Sequence, residues 1–208
     1  MSETGPIVYI VDDDPAVRDA VAFLVGSVGY SHRLCASAAE LLRAMDDTRP
    51  SCLVLDVRLP GLSGLELQRE LLARECSARI VFVSGHGDIP KAVRAIRLGA
   101  IDFLEKPFDD QALLDRIEEA LAASAEALQR RESRQKLDRK LSGLTERERD
   151  VLRLVIAGKT SKAIALELGI SVKTVENHRH NIMTKADAAS VAQLIAWATE
   201  PDGSAPSR

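Results

Sequence analysis

Ile7-Val8-Tyr9-Ile10-Val11 is an unbroken apolar run that stops abruptly at Asp12, Asp13 and Asp14. A run this short, with no polar alternation, reads as a strand buried on both faces, which places it inside a parallel sheet covered by helices. The pattern returns at 52–56, ending in Asp56, at 80–84, ending in Ser84, and at 101–104, where Lys106 follows after one residue. A weaker piece from Tyr30 to Leu34 supplies a fifth strand. Between these runs apolar residues recur at three and four, as in Val17, Val21, Phe23 and Leu24, then Leu65, Leu67, Leu71 and Leu72, then Val93, Ile96 and Leu98. The alternation predicts an α/β fold, a doubly wound five-stranded parallel sheet with helices on both faces.

The polar residues sit where such a sheet does chemistry. Ligands of open α/β sheets bind outside the carboxyl ends of the strands, and Asp12, Asp13, Asp56 and Lys106 all fall at strand ends. Asp12 and Asp13 alone read equally well as helix caps, but together with Asp56 and Lys106 they suggest a crevice. Clustered carboxylates repel one another, and a hard divalent cation such as Mg²⁺, bound by oxygen, relieves the repulsion. A cation and the Lys106 ammonium together suit a phosphoryl group, with Asp56 placed to attack phosphorus and form an aspartyl phosphate. Asp14 reads as a surface or helix-capping acid.

Charge divides the chain. The overall net charge is -3. Residues 1–124 hold 13 Lys+Arg against 20 Asp+Glu, residues 125–143 hold 6 against 3, and residues 144–208 hold 9 against 8. An acidic first half and a mildly basic second half are compatible with a cation-binding module joined to a nucleic-acid reader. Cys35, Cys52 and Cys76 are an odd number without metal-site spacing and read as reduced thiols. No apolar run approaches the roughly 20 residues that span a bilayer. Met1 to Gly5 lacks the regions of a signal peptide. The reading is a cytoplasmic protein without a membrane partner.

The last helix of the first domain is expected from a cap at Asp109 or Asp110, with Leu113, Leu114, Ile117 and Leu121 on its buried face. Residues 122–143 lack Gly and Pro until Gly143 and are rich in strong helix formers, so they are expected to continue as a solvated helical linker. A coiled-coil seam is the alternative, opposed by Arg and Gln at the seam positions after Leu128. Beyond Leu144 only helices are predicted. Thr145-Glu146-Arg147-Glu148 is a capping box, Gly158 and Gly169 close two helices, and Ser171 caps a third that runs from Val172 to about Lys185. A short helix, a glycine turn and a longer capped helix make a helix-turn-helix. Residues 190–198 are expected to form a fourth helix carrying Val191, Leu194, Ile195 and Trp197, and the tail 201–208 is expected to be disordered.

With Val175 at the centre of the buried face, a helical step of about 100° puts Ile182 and Ala186 beside it. Lys173, Glu176, Asn177, His180, Asn181 and Thr184 then face outward, able to enter a major groove. Asn177 suits adenine and Glu176 suits cytosine, whereas Lys173, Arg179 and Lys185 suit phosphates.

Several of these motifs carry a family resemblance. Residues 7 to about 121 resemble the receiver domain of two-component response regulators. The resemblance rests on Asp12-Asp13, on Asp56 in Leu-Asp-Val-Arg-Leu-Pro-Gly-Leu-Ser-Gly, on Ser84, and on Phe103-Leu-Glu-Lys106-Pro107-Phe. Residues 144–198 resemble the LuxR-type output domain through Leu-Thr-Glu-Arg-Glu, Leu168-Gly-Ile-Ser171 and Lys173-Thr-Val-Glu-Asn-His178. The whole arrangement is closest to the FixJ-like regulators. The resemblance implies a flavodoxin-like receiver (1–121), a linker (122–143) and a helix-turn-helix domain (144–200).

It also implies roles. Asp56 would accept a phosphoryl group from a sensor histidine kinase. Mg²⁺ would be held by Asp12, Asp13, Asp56 and the Arg58 carbonyl. Lys106 and Ser84 would contact the phosphoryl oxygens, and Ser84 and Phe103 would act as the switch pair. Lys106-Pro107 is commonly cis in this family, and Gly85 and His86 are departures in the loop after Ser84. Lys173, Thr174, Glu176, Asn177, Arg179, His180 and Lys185 are the candidate DNA-contacting residues. The expected partners are the kinase, promoter double-stranded DNA, a second copy upon phosphorylation, and RNA polymerase as a further candidate.

The expected function is that of a phosphorylation-activated transcription regulator, with no enzymatic activity beyond its own phosphorylation and slow dephosphorylation. One competing reading keeps DNA binding but makes the receiver-like domain respond to another signal. Another is a metal-dependent phosphatase using Asp56, which leaves the helix-turn-helix unexplained.

Overall fold

The computed structural model describes residues 5–85, 89–188 and 190. The first elements are β1 (Ile7–Val11), α1 (Pro15–Ser27), β2 (Ser31–Cys35), α2 (Ala38–Ala44), β3 (Ser51–Asp56), α3 (Gly64–Ala73), β4 (Arg79–Ser84), α4 (Ile89–Arg97) and β5 (Asp102–Glu105). The long α5 (Asp110–Ser142), then α6 (Glu146–Ile156), α7 (Ser161–Leu168) and α8 (Val172–Ala186), complete the order. The chain divides into two compact units, Met1–Arg131 and Glu132–Arg208.

In the first unit the five strands are parallel, in the order β2-β1-β3-β4-β5. Strand alternation builds two cores from one sheet. Ile7, Tyr9, Val11, Leu53, Leu55, Ile80 and Phe82 pack on one face with Leu41, Leu67, Leu71 and Ala95 of α2, α3 and α4. Val8, Ile10, Val54, Val81 and Val83 pack on the other with Val21 and Val25 of α1 and Leu113 and Ile117 of α5. This is the expected doubly wound sheet.

The helices differ from the expected stripes in three places, the first being Leu72, which is 50% exposed beside buried Leu71 of α3. Phe23 is 82% exposed, because the i, i+4 pair Val21 and Val25 with Ala22 forms the buried stripe of α1 and Phe23 falls outside it. On α4 the large residues Ile89, Val93 and Ile96 stand exposed while the small Ala95 faces the core. Ala95 lets α4 sit close to α3, where the Gln68 Nε2 donates to the Ala95 carbonyl at 2.9 Å.

Helix α5 stays on the first unit past Leu121. Ser124 is fully buried and its Oγ accepts from the Ser51 backbone N–H at 2.9 Å. Further along the helix, Arg131 forms an ion pair with Asp47. Residues 132–136 are exposed.

In the second unit α6, α7 and α8 enclose Leu144, Val151, Leu152, Val155, Ile164, Val175, Ile182 and Ala186. Thr145 and Glu148 form the predicted capping box, Thr160 and Ser171 cap the next two helices, and Gly169, in left-handed geometry, ends α7. Asp187 adopts left-handed geometry (φ 51°) and closes α8, with the Ala188 N–H donating to the Met183 carbonyl. The expected fourth helix, apart from Ser190, and the tail 201–208 lie outside the described residues.

Candidate functional site

Strand register brings the expected acids together. Val11 pairs with Leu55, so Asp12, one step on, lies level with Asp56, the last residue of the neighbouring β3. Ser84 pairs with Glu105, and the Lys106 N–H donates to the Ser84 carbonyl at 2.8 Å. The Lys106-Pro107 peptide is cis. Lys106 Nζ lies 2.5 Å from Asp12 Oδ2 and 3.3 Å from Asp56 Oδ2. Carboxylate oxygens of Asp12, Asp13 and Asp56 all fall within 4.8 Å of one another. The surrounding cleft is lined by Asp12, Asp13, Asp14, Val17, Asp56, Arg58, Gly85 and Lys106. Six of those eight residues are charged, which suits an ion or a phosphoryl group.

Asp12 and Asp56 are buried, while Asp13 is exposed. Burial works against the Lys106 charge, but the hydrogen bond to Asp12 and the adjacent Asp56 charge outweigh it and raise its pKa above the ordinary lysine value. The ammonium is therefore a fixed cation across the neutral range. Three carboxylates against one ammonium leave an excess of negative charge that favours a hard dication held by oxygen. The donor set fits that ion.

Asp14 is the N-cap of α1, accepting from the Ala16 N–H at 2.9 Å, as its position outside the acid pair suggested. Ser84 is buried at the end of β4. Phe103 is partly buried, its ring centroid 6.1 Å from that of Phe82. His86 lies outside the described residues.

Two further residues stand against the site that motif reading left without a role. Arg18, one turn into α1, donates from one guanidinium nitrogen to the Asp12 carbonyl at 2.7 Å and the Asp13 carbonyl at 3.0 Å. Gly64, the first residue of α3, approaches Asp56 so closely that a β-carbon would collide with the Asp56 carbonyl oxygen. The signal for Gly64 was present as the last glycine of Leu-Pro-Gly-Leu-Ser-Gly. Arg18 binds backbone carbonyls, and no residue pattern marks those partners.

The second unit presents a separate polar surface. Lys173, Glu176, Asn177, His180, Asn181 and Thr184 of α8 are exposed, opposite buried Val175, Ile182 and Ala186. Thr174 and Arg179 are half-buried, and Thr174 shares a 2.8 Å hydroxyl contact with the cap residue Ser171. Lys185 is turned aside, its Nζ 2.7 Å from the buried carboxylate of Glu148. The Lys185 ammonium and the Thr145 N–H hold the Glu148 carboxyl below the usual carboxylate range.

All three cysteines are free thiols, and burial pushes Cys76 up to about 12.

Residues 8–118 match the family model described as "Response regulator receiver domain", and residues 142–198 match "Bacterial regulatory proteins, luxR family". The chain belongs to the response regulators. Within that family it is 46% identical over 198 residues to the transcriptional regulatory protein FixJ of Azorhizobium caulinodans, covering 95% of this chain and 93% of the relative. It is 42% identical to the response regulator protein TodT of Pseudomonas putida, covering 94% and 86% of the two chains. Among solved structures, the response regulator StyR is 46% identical, covers 94% of this chain and 98% of its own, and superposes with a TM-score of 0.74. Full-length FixJ from B. japonicum is 40% identical with a TM-score of 0.57, covering 94% and 96%. This response regulator is thus a transcription regulator with a receiver domain and a LuxR-type helix-turn-helix DNA-binding domain. No helix among its described residues is long and apolar enough to cross a membrane.

Proposed function

We propose that this response regulator is switched by phosphoryl transfer from a sensor histidine kinase to Asp56 and then binds promoter DNA as a dimer. The observation that carries the reading is the clustering of the Asp12, Asp13 and Asp56 carboxylates, with the Lys106 ammonium against Asp12 and Asp56, at the carboxyl ends of β1, β3 and β5. Asp12, Asp13, Asp56 and the Arg58 carbonyl would hold Mg²⁺. When bound, Mg²⁺ neutralises the carboxylates and part of the phosphoryl charge.

The chain's own residues do the rest. Asp56 supplies a carboxylate oxygen that attacks phosphorus; the kinase's N–P bond breaks, and the histidine leaves with the electron pair and takes up a proton. Lys106 exchanges its present carboxylate contacts for a phosphoryl oxygen and stabilises the charge on it. The Ser84 hydroxyl turns to hydrogen-bond the new group, and the Phe103 ring moves into the space it leaves. The chain acts on itself alone, with slow hydrolysis of its own aspartyl phosphate and no external substrate.

The surface altered by that switch includes α4 and β5, where Ile89, Val93 and Ile96 are exposed apolar residues. Association of two copies through that face buries them and explains their exposure in one chain. Of the charges near this face, Asp102 lies 3.7 Å from Arg116 of the same chain, so Arg94 and Arg97 of one copy would compete with Arg116 for it in the other. Glu176, Asn177 and His180 of α8, with Thr174 at its start, face the major groove while Lys173 and Arg179 contact phosphates. A two-fold related promoter site follows from the dimer, and RNA polymerase is a candidate for recruitment there. A regulator of promoter DNA works in the cytoplasm. We assign the receiver to residues 1–121, the linker to 122–143, its part up to Arg131 still held against the first unit, and the DNA-binding domain to 144–200.

The test treats wild type and Asp56→Asn with acetyl phosphate and Mg²⁺ and measures mass by light scattering alongside duplex binding. A monomer-to-dimer shift with tighter DNA binding, in wild type alone, is expected. Equal DNA binding by both proteins, with covalent phosphate present on wild type, would favour a receiver-like domain that answers another signal.

A further inference from the structure

Two capping boxes stand among the described residues, and they are built differently. In α3 the Glu66 carboxylate accepts from the Ser63 N–H at 3.0 Å and the Ser63 hydroxyl at 2.6 Å, and Glu66 remains exposed. Capping a helix therefore requires no burial of the glutamate. In α6 the Glu148 carboxylate accepts from the Thr145 N–H at 2.8 Å, yet its side chain is only 4% exposed and is met by the Lys185 ammonium at 2.7 Å. The additional partner comes from the last turn of α8, the helix that carries the outward polar face.

Lys185 lies off that face. At about 100° per residue it falls roughly 80° from Val175, on the flank of the buried stripe, whereas His180 and Thr184 point nearly opposite to Val175. Its position in the last turn also suits a cation at the negative end of the helix. A buried carboxylate needs a partner, and the present rotation of α8 about its axis brings the ammonium of Lys185, itself 39% exposed, to Glu148.

We infer that Glu148 and Lys185 are positioning residues for DNA recognition: the pair pins the C-terminal end of α8 to the first turn of α6 and so sets which side chains of α8 meet base edges. This rests on the DNA-binding reading of the second unit. Lys185 then acts inside the domain and is not one of the phosphate contacts.

The distinction is measurable on the full chain treated with acetyl phosphate and Mg²⁺. The probes are a duplex selected by the wild-type chain from a random-sequence pool and a shuffled duplex of equal length. Lys185→Met, the double variant Glu148→Gln with Lys185→Met, and Lys185→Arg are compared with wild type at several salt concentrations, with thermal melts as the folding control. The double variant removes both charges while the introduced amide still accepts from the Thr145 N–H, so it keeps the test open if Lys185→Met alone unfolds. The expected result for the double variant is a preference for the selected duplex that falls about tenfold, the scale of one lost base contact. The salt dependence stays that of wild type, and Lys185→Arg restores preference.

A salt slope that falls by about 0.9, with preference intact, would make Lys185 a phosphate contact and overturn the inference. A lower melting temperature with preference and slope both intact would reduce the pair to a purely structural role and overturn it equally. If the wild-type chain selects no duplex at all, the DNA-binding reading fails first.

Discussion

The α-carbon of Gly64 faces the carbonyl oxygen of Asp56 with no room for a β-carbon between them. The same glycine donates its N–H to the Val57 carbonyl at 3.1 Å, so the first turn of α3 is stitched to the segment that follows Asp56. The end of β3 and the start of α3 consequently hold the Asp56 backbone in one place. Gly64→Ala must move Asp56 or tilt α3. We expect a loss of about 1–3 kcal/mol in urea unfolding, the scale of overpacking, and slower phosphorylation by acetyl phosphate. A variant with wild-type stability and rate would show that the close approach is not constraining.

Arg18 holds the opposite side of the pocket. Its guanidinium fixes the peptide carbonyls of Asp12 and Asp13, and those peptides aim the two carboxylates. Loss of such an outer partner commonly weakens metal binding about 10- to 100-fold. Arg18→Ala should therefore bind Mg²⁺ at least about tenfold more weakly by calorimetry, with Arg18→Lys intermediate. Unchanged affinity in Arg18→Ala would remove this role.

Asp47 accepts from the Ser77 N–H and hydroxyl at 3.0 and 2.7 Å and from the Cys76 thiol at 3.2 Å, and it pairs with Arg131 of α5. Burial opposes its charge, but the hydrogen bonds from Ser77, Arg131 and Cys76 outweigh burial and hold its carboxyl below the ordinary value. A depressed acid stabilises the fold above its unfolded pKa of about 3.9, and that contribution disappears as pH falls through the lower folded value. Asp47→Ala should cost about 1–3 kcal/mol at pH 7, and by urea melts the cost should shrink as pH falls below the unfolded value of about 3.9. It should also speed hydrogen exchange over residues 124–131. A cost that does not shrink in acid would contradict this account of the network.

The exposed α4 residues test the dimer separately from the chemistry. Val93 lies on the exposed side of α4, away from the carboxylate cleft. Val93→Glu should accept phosphate at the wild-type rate and stay monomeric by light scattering. Wild-type dimerisation of that variant would move the interface elsewhere.

The sheet was legible because its inner strands are buried on both faces. Ile7–Val11 is buried at every position, and such runs leave little alternative to a central parallel strand. Strand ends then placed Asp12, Asp56 and Lys106 together, and local capping rules marked Thr145, Gly169 and Ser171. Periodicity failed where a helix carries more apolar residues than it can bury, as with Phe23 and with Val93 and Ile96. It also had no access to pairings between distant positions. Ser124 with Ser51, Arg131 with Asp47 and Lys185 with Glu148 are choices of tertiary packing that neither partner's neighbours specify.

The most direct test of the central claim is the intact mass of the full chain after incubation with acetyl phosphate. Wild type should gain a single phosphoryl group when Mg²⁺ is present and none when it is chelated, and Asp56→Asn should gain none in either condition. Equal phosphate on Asp56→Asn, or uptake indifferent to Mg²⁺, would contradict the assignment of Asp56 and its acid pocket.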